Sequence, residues 1–225
     1  MNIIVPIRPH TISELKVLVQ KINNRADVIE IWLDQLSLSS RTWCGISEIL
    51  TRMVTESHRV QHDKVKLLGV CKSPDERGNF SGTSAERVAI LQKFLDAGGD
   101  FVDMDVMRND EAVIKSLPHQ KLILSFHDFD GMPENLDDIF ARMYFFSPSV
   151  YKFAVTTNTP TELENFLQFV KTFPVEHDTI FTTMGTFGRE GREQIEKLGR
   201  SWGAFFALDE ESKTAKGQKT LDEIS

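Results

Sequence analysis

A lysine enclosed by apolar neighbours can act as an amine nucleophile, and Lys152 lies in such a setting, within Val150-Tyr-Lys-Phe-Ala-Val155. Strand alternation would point it opposite to Tyr151 and Phe153. If it faces a barrel interior, desolvation and nearby cations would favour the neutral amine that attacks a carbonyl. A snorkelling or edge lysine is the plainer alternative. His127, in Leu124-Ser-Phe-His-Asp-Phe129, carries the side chain best suited to taking and returning a proton near neutral pH, unless it only bonds a loop or caps a helix. Glu76 stands in Cys71-Lys-Ser-Pro-Asp-Glu-Arg-Gly78, where it could orient a histidine and stabilise its cationic form, and Lys72 could meet a substrate anion. A lone loop acid is otherwise a solvated charge. The segment Met184-Gly-Thr-Phe-Gly-Arg-Glu-Gly-Arg192 enters a helix; its glycines let backbone N–H groups approach an anion, and Arg192 could clamp a carboxylate. Thr214-Ala-Lys-Gly-Gln218 adds hydroxyl and amide donors, or is simply a mobile turn. His58 and His62 share the spacing of a helical metal pair but lack the glutamate of the protease motif, so no metal site is expected.

These residues need elements to position them. Short apolar runs at 3–7, 28–33, 65–71, 101–107, 121–126, 150–155, 179–183 and 204–208 read as strands, several apolar almost throughout as when both faces are buried. Amphipathic segments separate them. Thr11-Ile-Ser-Glu14 and Thr83-Ser-Ala-Glu86 fit capping boxes, Pro133 and Pro160 suit first helical turns, and Gly199 suits a helix stop. The alternation predicts an α/β fold, one (β/α)8 TIM barrel spanning 1–225. The rival, a doubly wound sheet, usually carries a glycine-rich turn after its first strand, where this chain has Pro6-Ile7-Arg8-Pro9. In such barrels the chemistry gathers at the carboxyl ends of the strands. Glu30, Trp32, Lys72, Glu76, His127 and the 184–192 segment all fall there, with Lys152 inside the sixth strand.

The 225 residues carry 26 Lys and Arg against 33 Asp and Glu, a net charge of −7. That balance argues against nucleic acid or an anionic membrane as partner, while leaving room for a small anionic substrate held by local cations. Cys44 and Cys71 cannot build a disulfide framework. No secretory signal or membrane-length apolar run is evident, so a cytoplasmic protein is expected.

Taken together, five segments resemble type I 3-dehydroquinase, also called type I 3-dehydroquinate dehydratase. They are Ala26-Asp-Val-Ile-Glu-Ile-Trp-Leu-Asp34, Ser125-Phe-His-Asp-Phe129, Tyr151-Lys-Phe-Ala-Val155, the 184–192 loop and Ala215-Lys-Gly-Gln218, in the family's order. The resemblance implies a usually dimeric barrel without cofactor that dehydrates 3-dehydroquinate in the shikimate pathway. It places Lys152 at the Schiff-base position, His127 at the general acid/base position and Glu76 at the acid that partners the histidine. Glu30, Lys72, Arg192, Thr214 and Gln218 fall at substrate-binding positions. Departures from the pattern are Trp32 and Lys72 where the family has arginine, Arg77 and Lys216 for glycine and proline, and Gly191 for serine. The chain also stops at Ser225, early in the expected last helix. Other lysine Schiff-base barrels such as aldolases, and a carboxylate-binding barrel with weakened catalysis, are the competing readings.

Overall fold

The computed structural model describes residues 1–36, 43–61 and 65–224; His62 and Ser225, on which the histidine pair and the abbreviated end rest, lie outside them. Strands and helices alternate: β1 Asn2–Ile7, α1 Ile12–Ile22, β2 Val28–Trp32, α2 Trp43–Gln61, β3 Lys66–Val70, α3 Ser84–Asp96, β4 Phe101–Asp105 and α4 Glu111–Lys115. Then follow β5 Leu122–His127, α5 Leu136–Tyr144, β6 Val150–Thr156, α6 Pro160–Thr172, β7 Thr179–Met184, α7 Gly188–Leu198 and β8 Gly203–Phe205. The strands pair in parallel in the order β7-β6-β5-β4-β3-β2-β1-β8. The remaining seam is bridged where Trp202 N–H donates to Thr179 O at 2.7 Å, so the sheet curls into a nearly closed barrel.

Alternation along each strand sorts apolar from polar side chains even where every residue is buried. Outward-facing Ile29, Ile31, Val102, Met104, Phe153 and Phe181 join the helices in one core. Inward-facing Ile4, Val28, Leu68, Ile123, Val150 and Ile180 form a separate apolar plug. Further along the same inward rows stand Glu30, Asp103, Ser125, His127 and Lys152, all buried. The register sets Asp105 beside Ser125 and Ser125 beside Lys152. A polar layer therefore rests on an apolar floor.

Helix starts follow local chemistry. Thr83 and Glu86 form the complete box, as do Thr159 and Glu162 around Pro160 at the head of α6. At α1, Thr11 Oγ1 accepts from Glu14 N–H, but the Glu14 carboxylate reaches one residue further back, to His10 N–H at 2.8 Å. Gly199 closes α7 with φ 65°. Pro133 does not open a helix. The segment before α5 is tied to β6, with Gly131 O accepting from Thr156 N–H at 2.9 Å, and α5 begins only at Leu136. The strand expected at 204–208 stops at Phe205, because Ala207 N–H turns to Lys219 O on the returning segment.

Phe153 anchors the wall behind Lys152. It is fully buried, 5.1 Å from Phe169 and 5.7 Å from Phe173 between ring centroids. Phe153→Ala is expected to lower unfolding free energy by about 3–5 kcal/mol in a urea titration, the usual cost of emptying an aromatic core site.

Candidate active site

The carboxyl ends of the strands open onto a cleft of about 550 Å3 that contains Glu30, Lys72, His127, Lys152 and Arg192. Lys152, only 4% exposed, projects from the middle of β6 into the barrel. Its Nζ donates to Asp103 Oδ2 at 3.0 Å and lies 3.8 Å from Glu30 Oε2, with the Phe205 ring centroid 4.6 Å away. Burial is the largest single influence and favours the neutral amine, yet Asp103 and Glu30 together override it and raise the pKa. The expected neutral lysine is thus corrected. Its immediate neighbours are carboxylates rather than cations, and at rest it is an ammonium. Asp103, in turn held well below the ordinary carboxylate range despite burial by Lys152, Lys72 and His127, also accepts from Ser125 Oγ at 2.7 Å.

His127 closes β5 with its Nδ1 3.1 Å from Asp105 Oδ2. Asp105 also accepts from Met107 N–H, Arg108 N–H and Arg108 Nη1, the hydrogen-bond pattern of a carboxylate. The imidazole then donates through Nδ1–H, which leaves the Nε2 lone pair as the basic site. Burial, followed by the cations Lys72 and Lys152, moves the His127 pKa well below its usual 6.5. A depressed pKa keeps the basic form present as pH falls. The acid limb of kcat/KM is therefore expected below pH 6.5, a position that a pH series of initial rates in a constant-ionic-strength buffer checks.

Glu76 borders the cleft, but the carboxylate against His127 Nδ1 is Asp105. Arg87 Nη2 lies 2.9 Å from Glu76 Oε1 and 2.7 Å from Oε2, and Ser73 donates to Oε2 through both N–H and Oγ. These bonds make Glu76 the anchor of the short turn Pro74–Glu76 after β3. Glu30 is held through Oε1 by Trp32 Nε1–H at 2.8 Å, while its Oε2 is buried without a hydrogen bond.

Donors gather on the β7–β8 side. Arg192, buried at the second turn of α7, spends Nε on Thr183 O at 2.9 Å and Nη1 on Phe205 O at 3.3 Å. Its Nη2 has no protein hydrogen bond among the described residues, and burial pushes its pKa down to about 10. Gly191 beside it is required by packing, since a Cβ would stand 2.4 Å from Thr183 Oγ1. Thr214 N–H and Oγ1 donate to Gln218 Oε1 at 2.8 and 3.1 Å, which leaves buried Gln218 Nε2 without a partner. Thr182 Oγ1, in the cleft, is likewise unpartnered.

Sequence reasoning passed over Asp103 and Asp105. The signal was present, since two acids at alternate positions of an apolar strand must share its inward face. Among the described residues, no group of three or more His, Cys, Asp or Glu side chains is placed to hold a metal, and no helix is long and apolar enough to cross a membrane.

An inward lysine on carboxylates, beside a carboxylate-oriented histidine at the mouth of a (β/α)8 barrel, defines the class: a barrel with a lysine–histidine site. A family model describing type I 3-dehydroquinase matches residues 3–225. The chain belongs to that family and is a carbon–oxygen lyase. It is 28% identical over 228 residues to a 3-dehydroquinate dehydratase of Streptococcus thermophilus, covering 100% of this chain and 96% of the relative. The solved 3-dehydroquinate dehydratase of Geobacillus kaustophilus superposes with a TM-score of 0.84 at 19% identity, over 99% of this chain and 88% of the other. A type I enzyme from Clostridium difficile, solved with covalent modified comenic acid, gives 0.83 at 20% identity over the same shares, 99% and 88%. At such identities the structural likeness speaks for the fold.

Proposed function

We propose that this chain converts 3-dehydroquinate to 3-dehydroshikimate and water by syn elimination through an imine at Lys152, a step of the shikimate pathway. The observation that carries the reading is Lys152 and His127 in one cleft, with unpartnered polar atoms waiting at both ends. The β7–β8 end offers the unspent donors Arg192 Nη2 and Gln218 Nε2, the latter freed because Thr214 occupies Gln218 Oε1, and suits the substrate carboxylate.

The resting ammonium is consistent with this chemistry. Lys152 passes a proton to neutral His127 as the ketone arrives, and the amine adds to C3. His127 returns that proton to the carbinolamine oxygen, which leaves as water, and the resulting iminium places its positive charge where the ammonium stood beside Asp103. His127 Nε2 then removes the C2 proton, and the electron pair moves into the iminium to give an enamine. The enamine electrons return to expel the C1 hydroxyl, which His127 protonates as it leaves as water. Hydrolysis of the conjugated iminium releases the enone and restores Lys152. The protein supplies an electron sink and one proton shuttle, and Asp103 and Asp105 hold each in its working charge state.

Incubation with 3-dehydroquinate followed by borohydride is expected to add the reduced ligand to Lys152, located by peptide mass. Without borohydride, the ultraviolet absorption of the conjugated product should grow. Absence of both adduct and product overturns the reading. An adduct without turnover would favour a carboxylate-binding barrel with weakened catalysis.

A further inference from the structure

Trp32 stands where the resemblance places an arginine, yet the cleft is not short of a guanidinium there. Register sets Ile7 opposite Ile31 across the β1–β2 ladder, so the next residue, Arg8, leaves β1 beside Trp32. Its Cζ lies 4.1 Å from the Trp32 ring centroid, and the side chain lines the cleft. Among the described residues Arg8 has no ion pair of its own. The backbone that follows Arg8 and the ring beneath it are fixed, while the Arg8 residue itself is exposed. Pro9 is buried, His10 N–H donates to Glu14 Oε2 at 2.8 Å, and the indole is pinned through Nε1 to Glu30. A guanidinium that meets an aromatic ring through its face keeps its N–H edge available to a ligand. Lys72 Nζ approaches the same ring, 5.5 Å from its centroid.

We propose that Arg8, seated on Trp32, is a further substrate-contacting residue that determines specificity at the hydroxyl-bearing end of the ring. This rests on the reading of the site given above. The two ends of the cleft differ in kind. The β7–β8 end offers the unspent donors Arg192 Nη2 and Gln218 Nε2, whereas the β1–β3 end brings to the same cleft the donors Arg8 and Lys72 and the acceptor Glu30 Oε2, which has no hydrogen bond though it lies 3.8 Å from Lys152 Nζ. A carboxylate at this second end would face a carboxylate. A hydroxyl uses both partners, donating to Glu30 and accepting from Arg8. The C4 and C5 hydroxyls of the substrate supply that chemistry, and Arg8 reaches from the neighbouring strand to do so.

Quinate separates this proposal from the chemistry at Lys152, because it keeps the carboxylate and the C4 and C5 hydroxyls but has no ketone to form an imine. Arg8→Met retains the apolar stem over the indole and removes every donor. Its Kd for quinate, measured by ligand-observed NMR, is expected to rise about 10- to 100-fold, the loss of a charge-assisted hydrogen bond. For 4-deoxyquinate or 5-deoxyquinate, whichever lacks the hydroxyl that Arg8 reads, the same substitution should cost less than about threefold. Trp32→Leu should weaken quinate binding and make Arg8→Met nearly silent, a coupling that loss of packing alone does not produce. Unchanged quinate affinity in a folded Arg8→Met protein overturns the proposal. So does a penalty that persists with both deoxy ligands and vanishes with the neutral carboxamide of quinate, which would assign Arg8 to the carboxylate. Failure of the imine reading shows separately, as absence of a borohydride adduct while quinate affinity still depends on Arg8.

Discussion

Lys152→Ala is expected to abolish borohydride-dependent labelling and to lower kcat by more than about 10⁴-fold, beyond the range for losing a single acid–base group. The electron sink is the iminium itself, and none of Asp103, Glu30 or His127 can substitute for it, because none carries an amine. The substitution also leaves Asp103, 3.0 Å from Nζ in the native protein, buried without its cation. Breaking such a pair costs about 3–5 kcal/mol, so Lys152→Ala should also melt earlier. Lys152→Met with Asp103→Asn removes both charges and fills the space. This double variant is expected to recover most of the melting temperature and none of the turnover. Rapid-quench mass spectrometry with borohydride, read beside calorimetry, separates the two effects. Retention of more than about 1% of kcat in the folded double variant would exclude Lys152 as the covalent site.

Alternation within one strand sufficed to put Lys152 on the face opposite Tyr151 and Phe153, while whether that face was the barrel interior stayed open until the fold settled it. The Thr83–Glu86 box was legible too, since its partners lie three residues apart. Which charges meet across strands was not legible. Lys152 finds Asp103 at a separation of 49 residues and His127 finds Asp105 at 22, and both pairings depend on register between β4, β5 and β6. For that reason the sequence suggested a neutral lysine among cations, and the fold supplies an ammonium between acids. Glu76 shows the same limit. Its position after β3 allowed it to orient His127, but Arg87 on α3 packs over that turn and takes both carboxylate oxygens. Pro133 fits a first helical turn by local rules, and a tertiary bond to Gly131 decides otherwise. Local propensity gave way wherever a distant backbone or charge offered a stronger partner.

His127→Ala is expected to retain the borohydride adduct at Lys152 while lowering kcat about 10²–10⁴-fold, because imine formation and proton transfer fall to different residues. The stronger test lies one residue back in the network. In Asp105→Asn, a carboxamide that presents its NH2 to Nδ1, at the expense of the bonds that Oδ2 accepts from His127 N–H and Arg108 Nη1, moves the imidazole proton to Nε2 and removes the lone pair that takes the C2 proton. The histidine stays in place with the wrong tautomer, and kcat is expected to fall by a similar factor of about 10²–10⁴. The loss should not be purely structural. Arg108 Nη1 keeps His127 O as an acceptor at 2.9 Å, so the loop after β4 retains a tether when the Asp105 charge is removed. Nitrogen-15 shifts of the His127 ring report the tautomer directly. Nδ1 should be the protonated nitrogen in the wild type and Nε2 in Asp105→Asn. A variant with the Nε2–H tautomer and wild-type kcat would mean that another group takes the C2 proton, and the assignment of His127 as the shuttle would fall with it.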